Sequence, residues 1–232
     1  MNGKILIFTD GASRGNPGPG GWGAIIVEGN NVIELGDGEA KTTNNRMEIS
    51  AAYFAIKKTA VGSKIKLYTD SAYLINGITK WVHGWMRNNW QTAEKKEVLN
   101  KELWQKLFKE VQSRHIEWLR VKGHAGIAGN NRADQIATSF GTGEPVTLFR
   151  GDRRNYDVAV AEPTEEELAE KSDRDRKNAR AYSYLSLVDG KLEKHSNWND
   201  CKSRVEGKPG AKFRKSISAE DELEIIKSWG VR

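Results

Sequence analysis

A chain of 232 residues is long enough for one sizeable core and a smaller module, and 38% hydrophobic with 29% charged residues is ordinary for a soluble globular protein. No apolar run approaches bilayer length, and the single cysteine, Cys201, excludes an internal disulfide and a zinc-thiolate set. The N-terminal run Ile5–Phe8 is strand-sized rather than leader-like, so the expectation is a reduced, cytoplasmic monomer with no membrane contact and no obligate protein partner. The net charge of +6 divides into +6 over residues 1–150, −2 over 151–180 and +2 over 181–232. Two positive blocks separated by an acidic one suggest polyanion contact at both ends.

In chain order, Lys4–Thr9 is a strand rich in β-formers that ends at Asp10 and leads into a glycine-rich turn, Gly11–Gly23. Trp22–Glu28 and Asn31–Gly38 read as two more strands joined at Gly29-Asn30. Over Asn44–Thr59, Met47, Ala51, Phe54, Ala55 and Lys58 recur at helical spacing, with Asn44 or Asn45 available as the cap. Lys64–Thr69 is a fourth strand ending at Asp70. Short tryptophan-rich helices (Ser71–Gly77, Lys80–Asn88) and a longer one (Lys101–Ser113) precede a fifth strand, Ile116–Val121. The loop Gly123–Gly129 then leads to a last helix, Asn130–Phe140. The pattern describes an α/β domain over residues 1–142, a mixed five-stranded sheet with flanking helices. After Phe140 the periodicity stops. Thr164–Arg180 is almost wholly charged, with Leu168 and two alanines to bury, so residues 143–180 read as a charged flexible linker, a solvated helix over Thr164–Arg180 being the alternative. Strand and turn signals resume at Tyr182 and continue to Trp229, giving a small α+β module over 181–232.

Four acids occupy informative places. Asp10 and Asp70 end strands, Glu48 lies in the first long helix, and Asp134 lies in the last. Strand ends that share one side of an open α/β sheet converge on a cleft, and carboxylates gathered there need a countercharge. Oxygen-rich sets suit Mg²⁺ or Mn²⁺, and two such ions ~4 Å apart serve phosphodiester hydrolysis. Any one of these acids alone reads more simply as a surface charge.

Their local sequences remove that simpler reading. Phe8-Thr9-Asp10-Gly11 with Gly15-Asn16-Pro17-Gly18, Thr43-Asn44-Asn45-Arg46-Met47-Glu48, Tyr68-Thr69-Asp70-Ser71, and Val121-Lys122-Gly123-His124-Ala125-Gly126 through Asn131 to Asp134 occur in this order. Residues 1 to about 142 thereby resemble the type 1, bacterial ribonuclease H family, which cuts the RNA strand of RNA–DNA hybrids. The resemblance implies that Asp10, Glu48, Asp70 and Asp134 bind two Mg²⁺ ions, with Mn²⁺ as a substitute, and that His124 shuttles a proton or helps release product. An unperturbed imidazole pKa near ~6.5 suits that task.

The same resemblance assigns the substrate contacts. Asn16 and Asn44 match positions that touch the RNA strand, where amides both donate to and accept from 2′-hydroxyls. Lys41, Thr43 and Asn100 resemble the pocket for a DNA-strand phosphate, with Asn45 assisting; helix capping is the alternative for Asn44 and Asn45. Trp81 and Trp85 lie one helical turn apart, where the family lays rings against DNA sugars, whereas Trp90 and Trp104 read as core. The chain departs from the family in two places. Trp85-Met86-Arg87-Asn88-Asn89-Trp90 carries only Arg87 where lysines are common, and Ala72 stands where a glutamine usually touches RNA.

In the tail, Trp198-Asn199-Asp200-Cys201, Val205-Glu206-Gly207 and Gly210-Ala211-Lys212-Phe213-Arg214-Lys215 resemble the small hybrid-binding domain of eukaryotic ribonucleases H and viroplasmin-type proteins. That resemblance implies DNA-strand contacts from Tyr184, Trp198, Phe213, Arg214 and Lys215, and RNA contacts from Gly207–Gly210. Ser216 replaces a common aromatic. The competing reading makes Trp198 and Phe213 core residues of a module that binds nothing. For the whole chain the alternatives are a non-catalytic hybrid binder, which would be expected to lose a carboxylate, and a resolvase or integrase of the same fold.

Overall fold

Every residue of the run Ile5–Phe8 is apolar because the strand containing it is covered on both faces. In the computed structural model, which describes residues 4–121, 126–168, 181–217 and 219–230, that strand is β1 (Ile5–Ser13). Its alternate side chains feed two cores: Ile5 and Ile7 join one cluster, Leu6 and Phe8 the other. β1 pairs antiparallel with β2 (Gly18–Glu28), and β2 with β3 (Asn31–Thr42). On its other side β1 pairs parallel with β4 (Lys64–Thr69), and β4 with β5 (His115–Arg120).

Between these strands come α1 (Asn44–Lys57), α2 (Ala72–Asn76), a π-turn (Gly77–Trp81), α3 (Val82–Arg87) and α4 (Lys101–Val111), with α5 (Ala128–Thr142) after β5. Met47, Ala51 and Ala55 of α1 and Leu103, Trp104 and Leu107 of α4 complete the first core; Ala133 and Ile136 of α5 help build the second. Each fully buried large side chain contributes on the order of 1.5–3 kcal/mol. Trp104 is fully buried and Trp90 partly so, as the sequence suggests.

Two expectations are corrected here. Gly11–Gly23 is not one long turn: β1 runs on to Ser13, so Asp10 lies inside the strand, and β2 begins at Gly18. The glycines of β2 answer to packing. A Cβ on Gly21 would lie 2.4 Å from the Ala137 carbonyl oxygen, and one on Gly23 would lie 2.2 Å from that of Ala133, so α5 rests on the bare backbone of β2.

The second correction concerns the linker and the strand count. Residues 143–168 are not free of the domain. β6 (Arg150–Asp152) pairs antiparallel with β3 and makes the sheet six-stranded, in the order β5-β4-β1-β2-β3-β6. Val146, Leu148, Phe149, Tyr156, Val158 and Leu168 pack on the second core, Val160 is buried in it, and Leu168 bridges to Val121. Their spacing shows no period because they cover a face already formed by other strands rather than the face of an element of their own. This strap also closes over Glu34 of β3, whose side chain is fully shielded. Burial pulls the Glu34 pKa up, but hydrogen bonds from Arg132, Tyr156 and the Phe149 N–H outweigh it and leave the carboxyl below its usual range.

The chain divides into two compact units, residues 1–169 and 170–232. In the second, β7 (Ser183–Val188) is flanked antiparallel by β8 (Lys191–His195) and β9 (Lys212–Ser216). α6 (Trp198–Val205) is capped by Asn197, whose side chain accepts from the Asp200 N–H at 3.0 Å, and α7 (Ala219–Ser228) follows β9. Among the described residues, Leu185, Val188, Cys201, Val205 and Ile225 are the buried apolar residues of this unit. Ser216 is buried with its hydroxyl 2.6 Å from that of Ser183, a polar pair where an aromatic was the alternative. Among the described residues, no helix is long and apolar enough to cross a membrane.

Candidate active site

Parallel pairing of β1 with β4 sets Asp10 beside Asp70, the residue that follows β4. Glu48 reaches them because α1 lies directly on β1: a Cβ on Gly11 would meet the Glu48 nitrogen at 2.3 Å. Only glycine permits that approach. Carboxylate oxygens of Asp10, Glu48 and Asp70 all lie within 4.8 Å of one another. Asp134, from α5, lines the same open cleft of ≈ 480 Å³, together with Asn44, Asn45, Ser71, Ala72, Tyr73, Asn130 and Asn131.

The electrostatics of the set are unfavourable without a cation. Burial, then repulsion from Asp70 and Asp134, push the Asp10 pKa from 3.8 up to about 8, opposed only by the Gly11 N–H, which donates to Asp10 Oδ1 at 2.7 Å. Burial, then Asp10 and Asp70, hold Glu48 well above the usual carboxylate range. Glu48 is 4% exposed, and its buried Oε2 has no hydrogen-bond partner among the described residues. A shielded oxygen without a donor, inside a triad of acids, is what a hard divalent cation satisfies. The donor set therefore fits the metal that the sequence implies.

The remaining residues singled out from sequence fall in several places. Thr43, not Asn44 or Asn45, caps α1, its hydroxyl accepting from the Arg46 N–H at 3.3 Å. That corrects the capping alternative and leaves both asparagines exposed at the cleft. Asn16 is exposed in the β1–β2 hairpin and Lys41 is exposed near the end of β3. Asn100 adopts a left-handed conformation (φ 59°) at the start of α4 and borders a separate concavity formed by Glu97–Glu102 and Gln105. Trp85 sits inside an aromatic pile, with ring centres 5.8 Å from Trp81, 6.5 Å from Trp90 and 5.6 Å from Trp104; Trp81 is 39% exposed. His124 lies outside the described residues.

In the second unit Trp198 bridges Tyr184 and Phe213, with ring centres 5.9 and 5.5 Å away. Trp198 is 39% and Phe213 53% exposed, so neither serves as core. Arg214 and Lys215 follow Phe213 along β9, both partly exposed.

Sequence reasoning did not single out Asn130 and Asn131 as cleft residues. They precede Asp134 by four and three positions, hence on its face of α5, and that spacing was a readable signal. Asn130 is buried and its Oδ1 has no hydrogen-bond partner among the described residues.

Comparison with known proteins agrees with this geometry. The RNase H family matches residues 2–140. A ribonuclease H of Bradyrhizobium sp. (strain ORS 278) is 55% identical over 133 residues, which is 57% of this chain and 86% of that protein. One from Chromohalobacter salexigens is 51% identical over 136 residues, 59% of this chain and 83% of that one. Among solved structures, LC9-RNase H1, a type 1 RNase H with the type 2 active-site motif, superposes with a TM-score of 0.58 at 27% identity, covering 66% of this chain and 80% of that one. With this fold, this carboxylate cleft and a match over more than half of its length, the chain belongs to the RNase H family and is a ribonuclease H.

Proposed function

We propose that the protein cuts the RNA strand of RNA–DNA hybrids at the Asp10–Glu48–Asp70–Asp134 cleft by a two-metal mechanism, and that its second unit adds hybrid affinity. The observation that carries the first part is the buried, unpartnered Glu48 Oε2 within the Asp10–Glu48–Asp70 triad. Asp10, Glu48, Asp70 and Asp134 would hold the ions, Mg²⁺ or, in its place, Mn²⁺. Bound there, the ions supply the positive charge that activates a water and stabilises the leaving oxygen of a phosphodiester. The protein's own groups do the rest. Asn44 and Asn45, exposed at the cleft, offer amides to 2′-hydroxyls and the DNA backbone, which separates a hybrid from either pure duplex. His124 moves a proton near neutral pH, and its replacement by alanine slows turnover without abolishing it.

For the second unit, the exposed Trp198 and Phe213 rings, with half-buried Tyr184 beside them, support stacking on nucleic-acid sugars and bases, with Arg214 and Lys215 alongside for phosphates. Gly207 and Gly210, both at positive φ, shape the turn before β9 that would face RNA.

The first part is tested with Asp10→Asn and Asp70→Asn. Each variant should fold and bind hybrid while cleavage in Mg²⁺ falls by roughly 10²-fold or more, the scale of several kcal/mol of lost charge stabilisation. Cleavage near the unmodified rate sinks the assignment. The intact triad and Asp134 at one cleft argue against a purely hybrid-binding protein of this fold.

A further inference from the structure

Glu34 is a buried carboxylate that the reaction does not use, and four donors converge on it. Arg132 Nε and Nη2 donate at 2.7 and 2.9 Å, the Tyr156 hydroxyl at 2.6 Å, and the Phe149 N–H at 2.9 Å. The Glu34 N–H in turn donates to the Phe149 carbonyl at 2.8 Å. Arg132 also donates to the Thr147 carbonyl at 3.2 Å. Thr147, Phe149 and Tyr156 all belong to the strap, beyond the family match at residues 2–140. Arg132 belongs to α5 and precedes Asp134 by two positions, about 200° around the helix. It is thus gripped on the β3 side while Asp134 lines the cleft. Below α5, β2 presents Gly21 and Gly23, so on that side the helix rests on bare backbone, and its polar hold comes from the Glu34 side.

We propose that Glu34, Arg132 and Tyr156 form a positioning clasp through which the strap sets the roll of α5, and with it the placement of the Asp134 carboxylate over the metal cleft. This rests on the reading of Asp134 as a metal ligand. Bidentate guanidinium–carboxylate pairing suits the task because it fixes an angle as well as a distance. The strap is then part of the catalytic unit rather than a tether.

The experiment uses the full 232-residue chain with Tyr156→Phe, which removes one hydroxyl, and Arg132→Lys, which keeps the charge and loses the fork. Asp134→Asn is the reference. Mg²⁺ binding without substrate is measured by isothermal titration calorimetry, amide exchange across α5 by mass spectrometry, and cleavage as a function of Mg²⁺. Tyr156→Phe and Arg132→Lys should each weaken Mg²⁺ binding by roughly 10-fold, the scale seen when partners of metal ligands are removed. Exchange in α5 should quicken, and the maximal rate should return at high Mg²⁺. If both variants keep the unmodified isotherm while Asp134→Asn weakens it, the clasp is wrong and the ligand reading stands. If Asp134→Asn itself leaves the isotherm unchanged, it is the ligand reading that fails. Failure of both clasp variants to fold would make the network a stability element and overturn its positional role.

Discussion

The substitution Gly23→Ala measures how tightly the active site depends on the contact between α5 and the sheet. Gly23 stands opposite Asp10 in the β1–β2 register. A Cβ there would lie 2.2 Å from the Ala133 carbonyl oxygen, 2.8 Å from Ile136 Cβ and 2.9 Å from the Ala137 nitrogen. Ordinary contact begins at 3.4 Å, so the worst approach is short by 1.2 Å, and the obstacle is helix backbone rather than a flexible side-chain tip. β2 is held by ladders to β1 and β3, so α5 is the element that must lift. Overpacking of this kind costs about 1–3 kcal/mol. At roughly 2–4 °C per kcal/mol the melting temperature should fall by about 5 °C. The larger effect is on catalysis: α5 carries Asp134, and a displacement of ~1 Å at a reacting centre costs ~10²-fold. Thermal unfolding by circular dichroism and hybrid cleavage at fixed Mg²⁺ read the two effects. Gly29→Ala is the control, since a Cβ there meets nothing within 4 Å and the only penalty is its positive φ of 57°. A Gly23→Ala protein with unmodified melting temperature and rate refutes the reasoning; lost stability with an unchanged rate would refute the link to Asp134.

Three further outcomes are expected. In chelator, stability should fall as pH rises, because the folded-state pKa of Asp10 is raised from 3.8 to about 8: the folded protein keeps a proton that the unfolded chain has released, so the contribution is full below pH ~4 and lost through pH ~8. Thermal melts from pH 5 to 9 check this; Asp10→Asn should flatten the slope, Mg²⁺ should restore stability most at high pH, and a metal-free melting temperature that rises across the window contradicts it. A chain ending at Gly143 uncovers the second core and takes two partners from Glu34, costing at least ~3 kcal/mol from Val160 burial and lost charge-assisted bonds, whereas one ending at Leu168 keeps them. Equal melting temperatures for the two truncations would show that the strap adds nothing. The pair Trp198→Ala with Phe213→Ala should weaken hybrid binding by the full chain by up to ~10²-fold through lost avidity while sparing the rate at saturating substrate, and unchanged affinity in a titration with labelled hybrid refutes the stacking role.

Signals that repeat or that carry chemistry were legible in the sequence. The strand-sized apolar runs fixed five of the six strands of the first unit within a few residues, and the motifs around Asp10, Glu48, Asp70 and Asp134 named acids that do share one cleft. Gly18–Gly23 was misread as turn because glycine there answers to a helix more than a hundred residues away, a contact that no local pattern reveals. The cap of α1 falls one or two residues before the Asn44 or Asn45 that the sequence suggests, because Thr43, Asn44 and Asn45 are all competent caps.

The strap marks a firmer limit. Between Val146 and Val160 the apolar side chains cover a sheet face already formed by β1, β2 and β3, and their spacing follows that surface rather than a helical or extended repeat. The polar residues mislead in the same direction. Glu34 looks like an ordinary solvent-facing position in an alternating strand, and Arg132 like an ordinary helix charge, until Phe149 and Tyr156 close over both. A carboxylate can be that deeply buried only if all its partners arrive together, from β3, α5 and the strap. Burial of Glu34 therefore reports that the packed unit continues past the end of α5 to at least Tyr156, within the compact unit of residues 1–169. If Asp134 holds a metal as proposed, the same packing reaches the chemistry, because the helix held by Glu34 on one side carries Asp134 on the other.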